Sequence, residues 1–135
     1  MTEPGHALPG DVPVRGKGEL LDLLLQDVRH AVPELNGVMI ASLDGLPVAH
    51  DFAETDADRV AAMAATALGL GTRISQRISL GDFQEAVVRG DSGYLVAYSA
   101  GRQAVLVMCG PSDANLALMR IEARAVSVKI NQLLT

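Results

Sequence analysis

The sequence has no tryptophan, two tyrosines, two phenylalanines and one cysteine. So few aromatic rings exclude the stacking platform on which single-stranded nucleic acid is read. Tyr94 and Tyr98, four apart on one strand face, read as core or rim residues. One cysteine excludes an internal disulfide and fits a reducing compartment. Cys109 ends the apolar run "AVLVMC", where it reads as a small buried hydrophobe. Excess positive charge is also absent: the net charge is -5, which draws the chain to neither nucleic acid nor anionic lipid. No apolar run approaches the ~20 residues of a membrane span. Residues 1–16, "MTEPGHALPGDVPVRG", lack the cationic start and apolar stretch of a signal peptide. Their three prolines and three glycines predict a flexible tail before one domain over 17–135, and a cytoplasmic protein.

The residues of a catalytic or metal centre are equally sparse. His6, His30 and His50 have no partner at catalytic or ligand spacing. His50, Asp51, Asp56 and Asp58 lie close together but match no ligand spacing, and the last two are accounted for by a helix start. There is no G-x-x-x-x-G-K-[ST] loop, no G-x-S-x-G elbow and no paired-carboxylate arrangement. "GLG" at 69–71 falls inside a helix pattern, where a dinucleotide fingerprint does not occur. No enzyme, cofactor or metal is expected.

What is present is a regular alternation of periods. Leu21, Leu24, Leu25, Val28 and Val32 make one stripe of a helix over Lys17–Val32, which Pro33 ends. Strands follow at 36–43 and 46–52, joined by Asp44-Gly45 as a two-residue type I′ turn. Thr55 begins a capping box for a helix to about Ser79, with Gly81 as its stop. Strands at 83–89, 94–100 and 103–109 are separated by short turns. Pro111 and Ser112 introduce a last helix with Leu116, Met119, Ala123, Val126, Ile130 and Leu133 on one side. "GVMIA", "YLVAY" and "AVLVMC" are apolar at successive positions, so the antiparallel sheet is covered on both faces. The middle helix takes one face; the first and last take the other.

Projected at 100° per residue, the middle helix has three faces. Val60, Met63, Ala64, Ala67, Leu70, Ile74 and Ile78 form the widest apolar stripe, assigned to the sheet. Ala61, Ala65, Leu68 and Thr72 form a second stripe of smaller residues, which predicts packing against the same helix of a second copy. Gly69 and Gly71 support a close contact or slight bend, since each costs about 1 kcal/mol against alanine in a helix. The third arc, Arg59, Thr66, Arg73, Gln76 and Arg77, reads equally as a solvated face or a docking patch.

The α-β-β-α-β-β-β-α order resembles the roadblock/dynein light chain family. The pieces that carry this are "VMIASLDGLPVA", the Ala-rich helix, "GYLVAYSAGRQAVLVMC" and "PSDANLALMRIEARA", over about residues 19–134. The resemblance implies an α+β fold: a five-stranded antiparallel sheet with one helix on one face and two on the other. It implies a homodimer whose middle helices pack together and whose third strands pair, through Ala61, Ala65, Leu68 and Thr72 with Gln84, Ala86 and Val88. It also implies a non-catalytic scaffold or regulator of a small Ras-like GTPase, accelerating hydrolysis in some bacterial relatives. Arg59, Arg73, Gln76 and Arg77 are the candidate partner-binding residues. A small-molecule sensor of PAS- or GAF-like architecture and a purely structural adaptor are the other readings.

Overall fold

The computed structural model describes residues 16–135; apart from Gly16, the expected tail over residues 1–16 lies outside the described residues. The chain forms α1 (Lys17–Ala31), β1 (Gly37–Ser42), β2 (Pro47–His50), α2 (Glu54–Arg77), β3 (Glu85–Gly90), β4 (Gly93–Ala100), β5 (Ala104–Pro111) and α3 (Leu116–Leu134). The strands make one five-stranded sheet in the order β2-β1-β5-β4-β3, with every pair antiparallel.

Connectivity explains this order. The β1–β2 hairpin leaves β2 at one edge, and α2 crosses the sheet to start β3 at the other. Two tight turns then bring the chain back through β4, and β5 closes against β1, pairing Ile40 with Leu106 and Val38 with Met108. Landing in the middle, β5 is covered on both faces, so its apolar residues run consecutively: Ala104 through Met108 are all fully buried. Alternate residues serve separate cores. Val38, Ile40, Val96, Tyr98, Leu106 and Met108 face α1 and α3, whereas Met39, Ala41, Ala97, Val105 and Val107 face α2.

The α1 end is tied to the sheet by charge. Arg29 Nε lies 3.1 Å from Asp51 Oδ2, and Asp51 Oδ1 accepts the Val38 amide at 2.8 Å. The Arg29 guanidinium also donates to the Leu35 carbonyl, so one residue holds the helix, the α1–β1 loop and the end of β2 together.

Four local expectations are revised. The β1–β2 turn is a three-residue loop: the Gly45 amide donates to the Ser42 carbonyl at 3.0 Å, and the Ser42 amide donates to the Leu46 carbonyl at 2.8 Å. Among non-glycine residues described, only Ser79 has a positive φ, so Asp44 does not take the left-handed position that a type I′ turn requires; Gly45 does, at φ 87°. α2 starts from Ala53 with no side-chain cap, placing Thr55 inside the first turn instead of at its head. At its other end the left-handed residue is Ser79, φ 58°, and the Leu80 amide donates back to the Ser75 carbonyl at 2.8 Å, closing a Schellman motif before Gly81 is reached. α3 is capped by Asn115, whose Oδ1 accepts the Leu118 amide at 3.0 Å, while Pro111 ends β5.

The two helix glycines differ. A Cβ on Gly71 would sit 2.1 Å from the Phe83 ring, whereas one on Gly69 would meet nothing within 4 Å. Gly71→Ala is therefore expected to lower unfolding stability by about 1–3 kcal/mol through overpacking. Gly69→Ala should raise it by about 0.5–1 kcal/mol. Denaturant melts of both variants check the pair; equal effects would mean Phe83 does not rest on Gly71.

Candidate partner-binding surface

The sheet fixes which side of α2 faces inward. Ala57, Ala61, Ala64 and Leu68 pack on Met39, Ala41, Ala97, Val105 and Val107, and Ser75 continues the buried line towards the helix end. This corrects the assignment of stripes. Ala61 and Leu68, expected at a subunit interface, are 0% and 8% exposed within the single chain. Ala65 and Thr72 are half-buried beside them, Thr72 donating its hydroxyl to the Leu68 carbonyl at 2.8 Å.

The stripe expected to cover the sheet mostly points away from it. Ala64 is buried and Val60 packs on its edge, but Met63, Leu70, Ile74 and Ile78 are 62%, 56%, 47% and 62% exposed. The physical reason is size. The sheet already presents methionine and valine side chains on this face, and a helix can approach that surface closely only through alanines. The larger side chains are left outside.

The four candidate partner-binding residues, Arg59, Arg73, Gln76 and Arg77, are all exposed. Arg73, Gln76 and Arg77 line one depression together with Ile74. Arg59 does not join them: fourteen residues separate it from Arg73, or about 21 Å of helix at 1.5 Å per residue. Arginines and large apolar residues share one arc, since Arg59, Leu70 and Arg77 project within about 20° of one another. This interleaving was the signal in the sequence that Met63, Leu70 and Ile74 face outward, because a sheet-facing stripe does not share its arc with three arginines.

The same side of the molecule carries the sheet's open edge. Among the described residues β3 pairs only with β4, and from Val87 to Gly90 it is exposed. Ala86 packs at the margin of the α2 core, Val88 is 57% exposed, and Gln84 lies just before the strand on the surface. Leu80, in the loop from α2, is 64% exposed. Together, α2 and β3 present a ridge of large apolar side chains beside unpaired backbone, the features that mark a protein-binding surface.

Reactive chemistry does not converge here. Cys109 is half-buried on β5, and burial, with a smaller contribution from the Asp51 carboxylate, pushes its thiol up to about 11. Among the described residues, no three His, Cys, Asp or Glu side chains come together as a metal site. Nor is any described helix long and apolar enough to cross a membrane.

Comparison with known proteins bears on the fold. Residues 18–109 match the model of the Roadblock/LC7 domain. Uncharacterised proteins of Methanocaldococcus jannaschii are 31–32% identical over 97 residues, 71% of this chain and 81–84% of theirs. A Roadblock/LC7 domain from Streptomyces avermitilis superposes with a TM-score of 0.79 at 26% identity, covering 84% of this chain and 96% of that one. The gliding protein MglB of Thermus thermophilus shares the fold, with a TM-score of 0.78 at 19% identity over 94% of this chain and 97% of its own.

With a thiol that ionises near pH 11, about a thousandth of Cys109 is thiolate at pH 8. Alkylation by iodoacetamide in the folded protein should therefore be slow at pH 8 and rise close to tenfold per pH unit through pH 10. A rate that flattens between pH 9 and pH 10 would show an unburied thiol. Sequence match, strand order and superposition agree: the chain belongs to the Roadblock/LC7 domain family.

Proposed function

We propose that this chain is a non-catalytic homodimeric regulator or scaffold that binds a small Ras-like GTPase in the cytoplasm. The observation that carries the reading is the outward ridge of α2, Met63, Leu70, Ile74 and Ile78, beside the open β3 edge. A solitary protein has no use for four large exposed apolar side chains next to an unpaired strand. A two-fold axis beside that edge satisfies both features: the ridges bury each other, and two β3 strands pair through the segment holding Gln84, Ala86 and Val88. One of the solved relatives, an MglB, is described in a tetrameric arrangement, so higher assembly occurs within this fold.

In such a dimer the basic groups act as the docking patch. Arg73, Gln76 and Arg77 lie together at the C-terminal end of α2, and a two-fold axis that crosses the two helices at Met63 and Leu70 leaves one such cluster at each rim of the assembly. A cationic patch on a chain of net charge -5 suits an acidic surface on the partner, steering encounter and fixing orientation. Binding there biases the switch segments of a GTPase by differential contact with their two states.

The test uses the full chain and the small Ras-like GTPases of its own organism, loaded with a fluorescent GTP analogue. At least one should bind saturably, with nucleotide hydrolysis or release altered. The double variant Arg73→Glu, Arg77→Glu should weaken that binding at least tenfold while the solution mass of the dimer stays unchanged. Saturable binding unaffected by the charge reversal would remove the arginines from the site. No binding by any of those GTPases would leave the adaptor reading in its place.

A further inference from the structure

On the opposite face from α2, a cleft of about 250 Å³ opens between α3 and the end of β4. Its walls are mixed: Tyr98, Ser99, Arg124, Ser127 and Asn131 bring polar groups to it, with Val128 as an apolar side and Gln84 at the rim. We infer that this cleft is a binding site for a small organic monocarboxylate, with Arg124 as its anchor.

Three observations lead there. Arg124 pairs with no carboxylate among the described residues. Its Nε donates to the Tyr98 hydroxyl at 3.4 Å, which holds the guanidinium at the wall of the cleft. The nearby acid, Glu85, is paired with Arg120 at 2.8 Å and reaches Arg124 through its charge alone, with no direct contact between the two. Second, Ser127 is 6% exposed and its Oγ has no hydrogen-bond partner. A buried hydroxyl left unpaired is costly, and one in the wall of a cleft is satisfied when a rotamer change turns it to an acceptor inside. Third, the backbone is shaped around the cleft. Gly101 has φ 77°, and a Cβ there would fall 2.0 Å from Asn131 Oδ1, so the β4–β5 turn packs directly under that amide.

The ligand class follows from this donor set. A guanidinium fork matches the two oxygens of a carboxylate, with Ser127 as a further donor. The Asn131 and Ser99 groups suit a hydroxyl or carbonyl substituent, while Val128 and the Tyr98 ring accept a short carbon chain. The volume equals roughly eight waters at ~30 Å³ each, which limits the ligand to a small metabolite and is below the size of a nucleotide site.

The experiment is an amide-resolved NMR titration of the full chain with sodium lactate and sodium benzoate. Sodium chloride and inorganic phosphate are run at matched ionic strength. Saturable shifts at Gly101, Arg124, Ser127 and Asn131 with at least one carboxylate, absent with chloride, are expected. Arg124→Gln should weaken binding at least tenfold. Ser127→Ala should weaken it severalfold without lowering the unfolding midpoint, since the hydroxyl it removes is unpaired. Unsaturated shifts up to 50 mM, equal shifts with chloride, or full binding in Arg124→Gln would overturn the site. Saturation by phosphate alone would overturn the carboxylate assignment.

Discussion

A helix that lays alanines against a sheet leaves its larger side chains elsewhere. α2 meets the sheet through Ala57, Ala61, Ala64 and Leu68, because Met39, Val105 and Val107 already occupy the space between them. Met63, Leu70, Ile74 and Ile78 are thereby turned outward. The same helix carries the chain from β2 at one edge of the sheet to β3 at the other, leaving β3 with one neighbour. Apolar ridge and open edge therefore arise from a single packing choice. In the proposed dimer, a second copy on this side covers both.

The other side of the sheet is built on a different principle. α1 and α3 cover it with leucine, isoleucine and methionine, and all the large fully buried side chains outside β1, β4 and β5 belong to these helices or to Val32 beside α1. That face is closed by packing and by the Arg29–Asp51 link. The contrast separates the labour between faces: one thick layer holds the fold, and one thin layer offers a helix for contact. The cleft at Arg124 lies at the margin of the thick layer, on the opposite face from the α2 ridge, and reaches the start of β3 through Gln84.

Much of the fold was legible in the residues. Apolar runs in β1, β4 and β5 showed a sheet covered on both faces, and turn residues fixed the strand boundaries within a few positions. The roadblock resemblance implied a five-stranded sheet and its helix layers, but neither it nor periodicity contained the β5–β1 pairing that closes the sheet. Orientation of α2 was not legible by hydrophobicity, since the stripe with the largest side chains is the outer one. Side-chain volume on the facing strands decides it, and those strands are distant in sequence. The turn at Asp44-Gly45 showed a similar limit: the dipeptide marks a reversal, but whether Leu43 joins the loop depends on strand register. At Ser79 a residue disfavoured at positive φ holds the left-handed position, because the Schellman bond to Ser75 and the approach of Leu80 determine the backbone there.

The central claim is that α2 faces its own sheet with alanines and a second copy with its ridge. The most direct measurement is the solution mass by size-exclusion chromatography with light scattering, on the native chain and on Leu70→Glu. Refractive index serves as the concentration signal, because two tyrosines and no tryptophan absorb weakly. The account predicts two chains for the native protein and one folded chain for the variant, since Leu70 is 56% exposed and its replacement leaves the core intact. A native protein that runs as a single chain at every concentration would contradict it, as would a variant that remains paired.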